Sequence, residues 1–170
     1  MAVKKYKTQI ESKFGERLKK YRIKRGYSTV EEFGMVFNNG KKHKDFSAYE
    51  KGKNIRYDTL FKVCFHLKVE VTDFLNFKVK VTPEAEIFNN MIDWRDYAKE
   101  KHLTFIKKIK SLRKLSGLSQ LDLESRLNIT RENITNYERG IIKPTLITMD
   151  AFANAFDLEI WQLFLKKEAE

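Results

Sequence analysis

"NITRENITNYERG", residues 128–140, packs two kinds of surface into one short segment. Ile129, Ile134 and Tyr137 are spaced to share one side of a helix, while Arg131, Glu132, Thr135 and Asn136 set hydrogen-bonding groups between them. At 3.6 residues per turn, such a segment turns an apolar seam inward and a ridge of donors and acceptors outward. Thr130 stands in front as an N-cap and Gly140 behind as a stop. A second stretch, "KKHKDFSAYEKG" at 41–52, repeats the arrangement with Phe46 and Tyr49 as its apolar pair.

The likeness extends outward from both stretches. Arg113, Gly117, Ser119, Tyr137, Glu138 and Gly140 have counterparts in Arg22, Gly26, Ser28, Tyr49, Glu50 and Gly52. Gly117 to Glu138 is 21 residues and Gly26 to Glu50 is 24, so the first copy carries three extra residues, best placed around "NNGKK" at 38–42. Each copy reads as five short helices. The first has its apolar face at Phe105, Ile109 and Leu112, or at Phe14, Leu18 and Tyr21. Gly117 or Gly26 ends it, and Ser119 or Ser28 is placed to cap the second helix, which carries Leu121, Leu123 and Leu127, or Val30, Phe33 and Phe37. The fourth shows Met149, Phe152, Ala153 and Phe156, or Leu60, Val63, Cys64 and Leu67, an i, i+3, i+4, i+7 set in both cases. Ile160, Leu163 and Phe164, or Val71, Phe74 and Leu75, form the last.

The expected architecture is all-α, with an N-terminal domain at 1–76, a linker at 77–103 and a C-terminal domain at 104–170. Within the linker, Thr82, Pro83, Glu84 and Glu86 suit a helix start, and Ile87, Met91 and Trp94 make a stripe, so a helix is expected at about 83–98. "FKVKV" at 77–81 alternates and reads as extended.

The chain of 170 residues carries a net charge of +11, with a pI near 9.6. That surplus favours a polyanionic partner. It is concentrated at the front: residues 1–76 hold 18 basic and 9 acidic side chains, 77–103 hold 5 of each, and 104–170 hold 11 and 9. The lone cysteine, Cys64, excludes an internal disulfide and a cysteine-based zinc site. No apolar run is long enough to span a bilayer, and "MAVKKYKTQI" lacks the apolar core of a signal peptide, so a cytoplasmic protein is expected. His66 and His102 have no partner cluster, and no metal site is read.

"GLSQ" at 117–120, "TRENITNYERG" at 130–140 and "KPT" at 143–145, in that order, resemble the phage-repressor and Cro-like, XRE-type, helix-turn-helix family over residues 105–165. Residues 14–75 resemble it more loosely, through "RGYSTVEEF" and "YEKGKNIRYDTL", with an insertion at 38–45 and Thr29 in place of Gln120. The resemblance implies that the third helix of each copy enters the major groove of duplex DNA. Carried over by position, Arg131, Glu132, Thr135 and Asn136 face bases, which Arg, Asn and Glu can read by donor and acceptor pattern. Gln120, Thr130, Arg139 and Lys143 would meet phosphates. In the first copy His43, Lys44, Ser47 and Ala48 take the base-facing places, and Thr29, Lys41, Lys42, Lys51 and Lys53 the phosphate-facing ones, a set strong in charge and poor in bidentate readers. The family pattern also pairs Arg113 with Glu138, and Arg22 with Glu50, as structural ion pairs.

These readings converge on a sequence-specific duplex-DNA-binding transcriptional regulator, a repressor by default, with two reading heads on one chain. The alternative is an antitoxin-like or adaptor protein whose first domain binds another protein. A homodimer contact through the C-terminal helix near Trp161, or through the linker helix, is consistent with either. No catalytic constellation, cofactor motif, membrane anchor or small-molecule effector site is read from the sequence.

Overall fold

The computed structural model describes residues 2–41, 46–91 and 93–166, with the backbone alone over 2–8. Among them the regular structure is helical, in two successive series. The first comprises α1 (Ala2–Lys24), α2 (Val30–Phe37), α3 (Phe46–Glu50), α4 (Tyr57–His66) and α5 (Val71–Leu75). The second comprises α6 (Trp94–Leu115), α7 (Gln120–Leu127), α8 (Arg131–Glu138), α9 (Leu146–Ala155) and a terminal 3-10 turn (Ile160–Phe164). Among the described residues no helix is long and apolar enough to cross a membrane.

Local chemistry sets the boundaries. α1 and α6 both end where a glycine takes the left-handed conformation, Gly26 at φ 86° and Gly117 at φ 66°. There the Tyr27 and Leu118 amides donate back to the Arg22 and Arg113 carbonyls, a Schellman closure made twice. Ser119 caps α7, its hydroxyl accepting from the Asp122 amide, and Asp122 accepts from the Ser119 amide in return. In the first series the cap is Thr29, not the expected Ser28: Thr29 accepts from the Glu32 amide, and Ser28 donates its hydroxyl to the Glu32 carboxylate. The turn after Gly26 is one residue longer than the turn after Gly117, so Thr29 corresponds to Ser119 and Val30 falls where Gln120 stands.

The helix expected at about 83–98 is absent as such. A 3-10 turn covers Glu86–Asn89, and α6 starts afresh at Trp94, capped by Asp93 through the Arg95 amide. Thr82 does not cap a helix because α1 holds it: its amide donates to the Tyr21 hydroxyl, its own hydroxyl lies 3.0 Å from that oxygen, and its carbonyl accepts from Arg25. One turn from Tyr21 towards the start of α1, the buried Arg17 guanidinium donates to the carbonyls of Asp73 and Val79. Arg17, Tyr21 and Arg25, at i, i+4 and i+8, thus strap the chain from the end of α5 to Thr82 along α1, and residues 76–82 run irregularly. With the turn tightened to 3-10, Phe88 is buried and Ile87 is exposed.

A continuous apolar core joins the two series. The first turns of α6 lie on α4: Tyr97 packs on Phe61 at 5.7 Å and His102 on Tyr57 at 5.2 Å between ring centroids. The Tyr97 hydroxyl accepts from the Val71 amide and donates to Glu70, which also pairs with Lys101 at 3.0 Å. Phe61 reaches Phe164 at 5.6 Å, and α5 packs on the terminal turn. The surfaces expected to serve a homodimer, the linker helix and the last helix, are therefore largely engaged within the chain. Trp161 is half-buried, its indole N–H donating to Glu159 at 3.3 Å. Cys64 is buried, and burial pushes its thiol pKa up.

Gly15 allows α1 to approach the end of α3, since a methyl group there would overlap the Tyr49 and Glu50 carbonyls. Gly15→Ala is expected to destabilise the protein by about 1–3 kcal/mol, read from the urea midpoint. His66, packed on Phe37 and Phe65, is pushed down from 6.5 to about 4 by burial and by the nearby Lys62. The unfolded chain therefore takes up that proton first. The stability that His66 contributes is complete above about pH 6.5 and is lost as pH falls towards 4. Thermal melts across that window should show the loss, with a flatter slope in His66→Gln.

Candidate nucleic-acid interface

α7 and α8 are joined by a tight turn in which Asn128 takes the left-handed conformation, φ 53°, a region that Asn tolerates. Thr130 caps α8, its hydroxyl accepting from the Asn133 amide at 3.4 Å. Ile134 is fully buried, and Tyr137 meets Phe152 edge-on at 5.7 Å. At about 100° per residue, Glu132, Asn136 and Arg139 point farthest from the seam made by Ile134, Tyr137 and Glu138. Arg131, Glu132, Asn133 and Arg139 are exposed, and Thr135 and Asn136 half-buried.

The inner side of α8 is pinned by a polar network. Arg113 Nε lies 2.5 Å from Glu138 Oε1, and its Nη2 lies 2.9 Å from Oε2. The remaining terminal nitrogen donates to the Leu118 carbonyl. Gln120 donates its amide N–H to Glu138 at 2.9 Å, and its carbonyl lies 3.0 Å from the Thr135 hydroxyl. Burial acts to raise the Glu138 pKa, but the hydrogen bonds from Arg113 and Gln120 outweigh it and hold the carboxyl below its ordinary range. The same hydrogen bond raises the Arg113 pKa. One carboxylate thereby ties three helices together, α6 through Arg113, α7 through Gln120 and α8 through itself.

This network changes the reading of two residues. The side chain of Gln120, expected at a phosphate, is spent on Glu138 and Thr135; what it leaves for a ligand is the backbone at the start of α7. The Thr135 hydroxyl lies within donor reach of both Gln120 and the Arg131 carbonyl, so towards solvent it offers acceptor capacity. Lys143 is drawn aside as well, its ammonium 2.7 Å from Asp58 of α4 in an exposed pair. Leu121, expected in the core of α7, is exposed, and with Arg131, Ser119 and Gln120 it lines a shallow crevice between the starts of α7 and α8. Leu121 and Asn133 are exposed residues on this side that periodicity missed: Leu121 was assigned to the apolar stripe, and Asn133, in the first turn of α8, was passed over.

In the first series Arg22 and Glu50 form the corresponding pair, at 2.6 Å and almost fully buried, with Arg22 also donating to the Tyr27 and Ser28 carbonyls. Among the described residues α3 covers Phe46–Glu50, with Phe46 buried and Ser47 and Ala48 half-buried. Lys41, Lys51 and Lys53 are exposed, Lys53 lying over the Tyr49 ring, and the exposed Thr29 is spent as a cap. Lys42, His43 and Lys44 lie outside the described residues. Among the described residues no group of three His, Cys, Asp or Glu is placed to hold a metal ion.

A short helix pinned on its inner side, polar on its outer side and crossed by a second helix at its start is the geometry of a DNA-reading unit. Residues 109–160 match the helix-turn-helix family model. The match points to a DNA-binding transcription regulator and covers α7, α8 and α9 with the end of α6; no second match falls in the first series. No curated protein and no solved structure matches the chain.

The helix-turn-helix unit depends on the Glu138 network. Arg113→Ala, which leaves that carboxylate buried without its cation, is expected to cost about 3–5 kcal/mol in chemical denaturation. A loss below about 1 kcal/mol would class the pair with surface ion pairs.

Proposed function

We propose that the chain is a sequence-specific regulator that binds double-stranded DNA through α8 in the major groove and represses by occlusion. The observation that carries this reading is the outer ridge of α8, with Glu132, Asn136 and Arg139 outermost, on a helix that Arg113, Gln120 and Glu138 hold in fixed orientation. Arg131 and Asn136 are the bidentate readers, for guanine and adenine respectively, and Glu132 accepts from the cytosine amino group. Leu121 adds an apolar contact at the crevice. Thr130, Arg139 and the amides opening α7 meet phosphates. Residues 1–76 form a second, divergent unit of the same type, ahead of a joining segment at 77–103 and the main unit at 104–170. In it Lys41, Lys51 and Lys53 supply phosphate contacts, while α3, with Ser47 and Ala48 outward, reads bases weakly.

The test is binding-site selection from random duplexes, followed by salt titration of the winning sequence. Log affinity should fall linearly with log salt, by roughly 0.9 for each phosphate neutralised. Asn136→Ala should cost about 1–3 kcal/mol on the selected site and blur preference at one base pair. Lys51→Ala should weaken selected and random duplexes alike and lower the salt slope by about one. Salt-insensitive or absent duplex binding would defeat the reading in favour of a protein partner for the first unit.

A further inference from the structure

We infer that the chain is a covalent pseudo-dimer, its two helical series related by an approximate two-fold axis, and that one chain spans one DNA site with two unlike, inverted halves. The inference rests on the duplex-binding reading for its ligand, and on the packing between the series for its geometry.

The elements correspond in order and length. α1 and α6 have 23 and 22 residues and end in the same Schellman closure. α4 and α9 have 10 residues each, and α5 and the terminal turn 5 each. Both of these last pairs start 89 positions apart, at 57 and 146 and at 71 and 160. Three principal packings join one series to the other: α6 on α4, α1 on α9, and α5 on the terminal turn. Exchanging the series turns the first packing into the second and the third into itself. Arg56 and Thr145, the residues immediately preceding α4 and α9, also pair with each other in an isolated antiparallel bridge, closed by the Leu146 amide donating to the Ile55 carbonyl. An element that meets its own counterpart lies on a two-fold axis; a head-to-tail arrangement would join unlike surfaces.

The symmetry matches the two long first helices to each other. The start of α6, read from sequence as linker, is an arm that the second series lays on α4 of the first through Tyr97 and His102, with Lys101 pairing with Glu70 ahead of α5. α1 packs on α9 in the corresponding way. The principal packing partners of α3 are α1 and α2, and those of α8 are α6 and α7, so both DNA-reading helices stand clear of the junction.

Two reading helices related by a two-fold axis fit inverted half-sites about one helical turn apart. Here the halves are unlike, because α3 is "FSAYE" and α8 is "RENITNYE". The selected site should therefore hold one well-defined half and one of low information that is nevertheless contacted along its backbone. Because the two heads share one chain, dilution does not separate them.

The test uses the full chain and the selected duplex. Native mass spectrometry should give one chain per duplex. Hydroxyl-radical footprinting should give two patches of backbone protection, related by a dyad and centred about 10 base pairs apart. Shortening the duplex from the low-information side, so that the second patch is removed, should weaken binding at least about tenfold. Two chains per duplex, a single protected half-site, or a shortened duplex bound as tightly as the full one would overturn the pseudo-dimer while leaving duplex recognition by α8 intact. Failure to bind any duplex would overturn both.

Discussion

Glu138 is the point from which the reading unit is built. A carboxylate this deeply buried is tolerated only if its charge is met, and it is met by the Arg113 guanidinium and the Gln120 amide. Those partners come from two other helices, so satisfying one charge fixes α6, α7 and α8 with respect to each other. A ridge proposed to match the spacing of base edges would need that rigidity, since a helix free to roll would lose its bidentate contacts. The first series pairs Arg22 with Glu50 in the same way, the guanidinium more buried than that of Arg113 and the carboxylate slightly less than that of Glu138.

The second constraint is the shared core. Each series, one long helix followed by four short elements, leaves apolar surface on its fourth and fifth elements, and neither is large. Packing the two together covers Phe61, Tyr97 and Phe164 at once and makes one core of both. The polar groups carried into that junction are met there: the Tyr97 hydroxyl takes the Val71 amide and gives its proton to Glu70, and Lys101 neutralises Glu70. Arg17 does comparable work at the edge of the first series, where backbone carbonyls receive its terminal nitrogens.

Much of this was legible in the chain. Apolar spacing marked Phe14, Leu18 and Tyr21, and Phe105 and Ile109, all of which are buried, and the glycines marked where the helices stop. The polar and apolar sides of residues 131–138 followed from helical period alone. The misreadings have physical causes. Ser28 and Thr29 are both competent caps, and a one-residue difference in turn length decides between them. Leu121 fits the apolar stripe of α7, but at the first turn of that helix nothing packs over it. Pro83, Glu84 and Glu86 favour a helix start, yet the hydrogen bonds of Thr82 to Tyr21 and Arg25 outweigh that local preference.

The sequence by itself determined the helical segments, their caps and stops, the excess of positive charge in the first half and the identity of the outward-facing side chains on α8. These are short-range properties, governed by period, φ preference and composition. Only the tertiary structure decided that Gln120 turns inward to Glu138, that Lys143 leaves for Asp58, and that the end of the expected linker, from Trp94 on, is the arm of a helix laid across its neighbour. Each of these joins groups at least 18 positions apart in the chain, and which distant groups meet is set by how whole faces pack rather than by any local spacing.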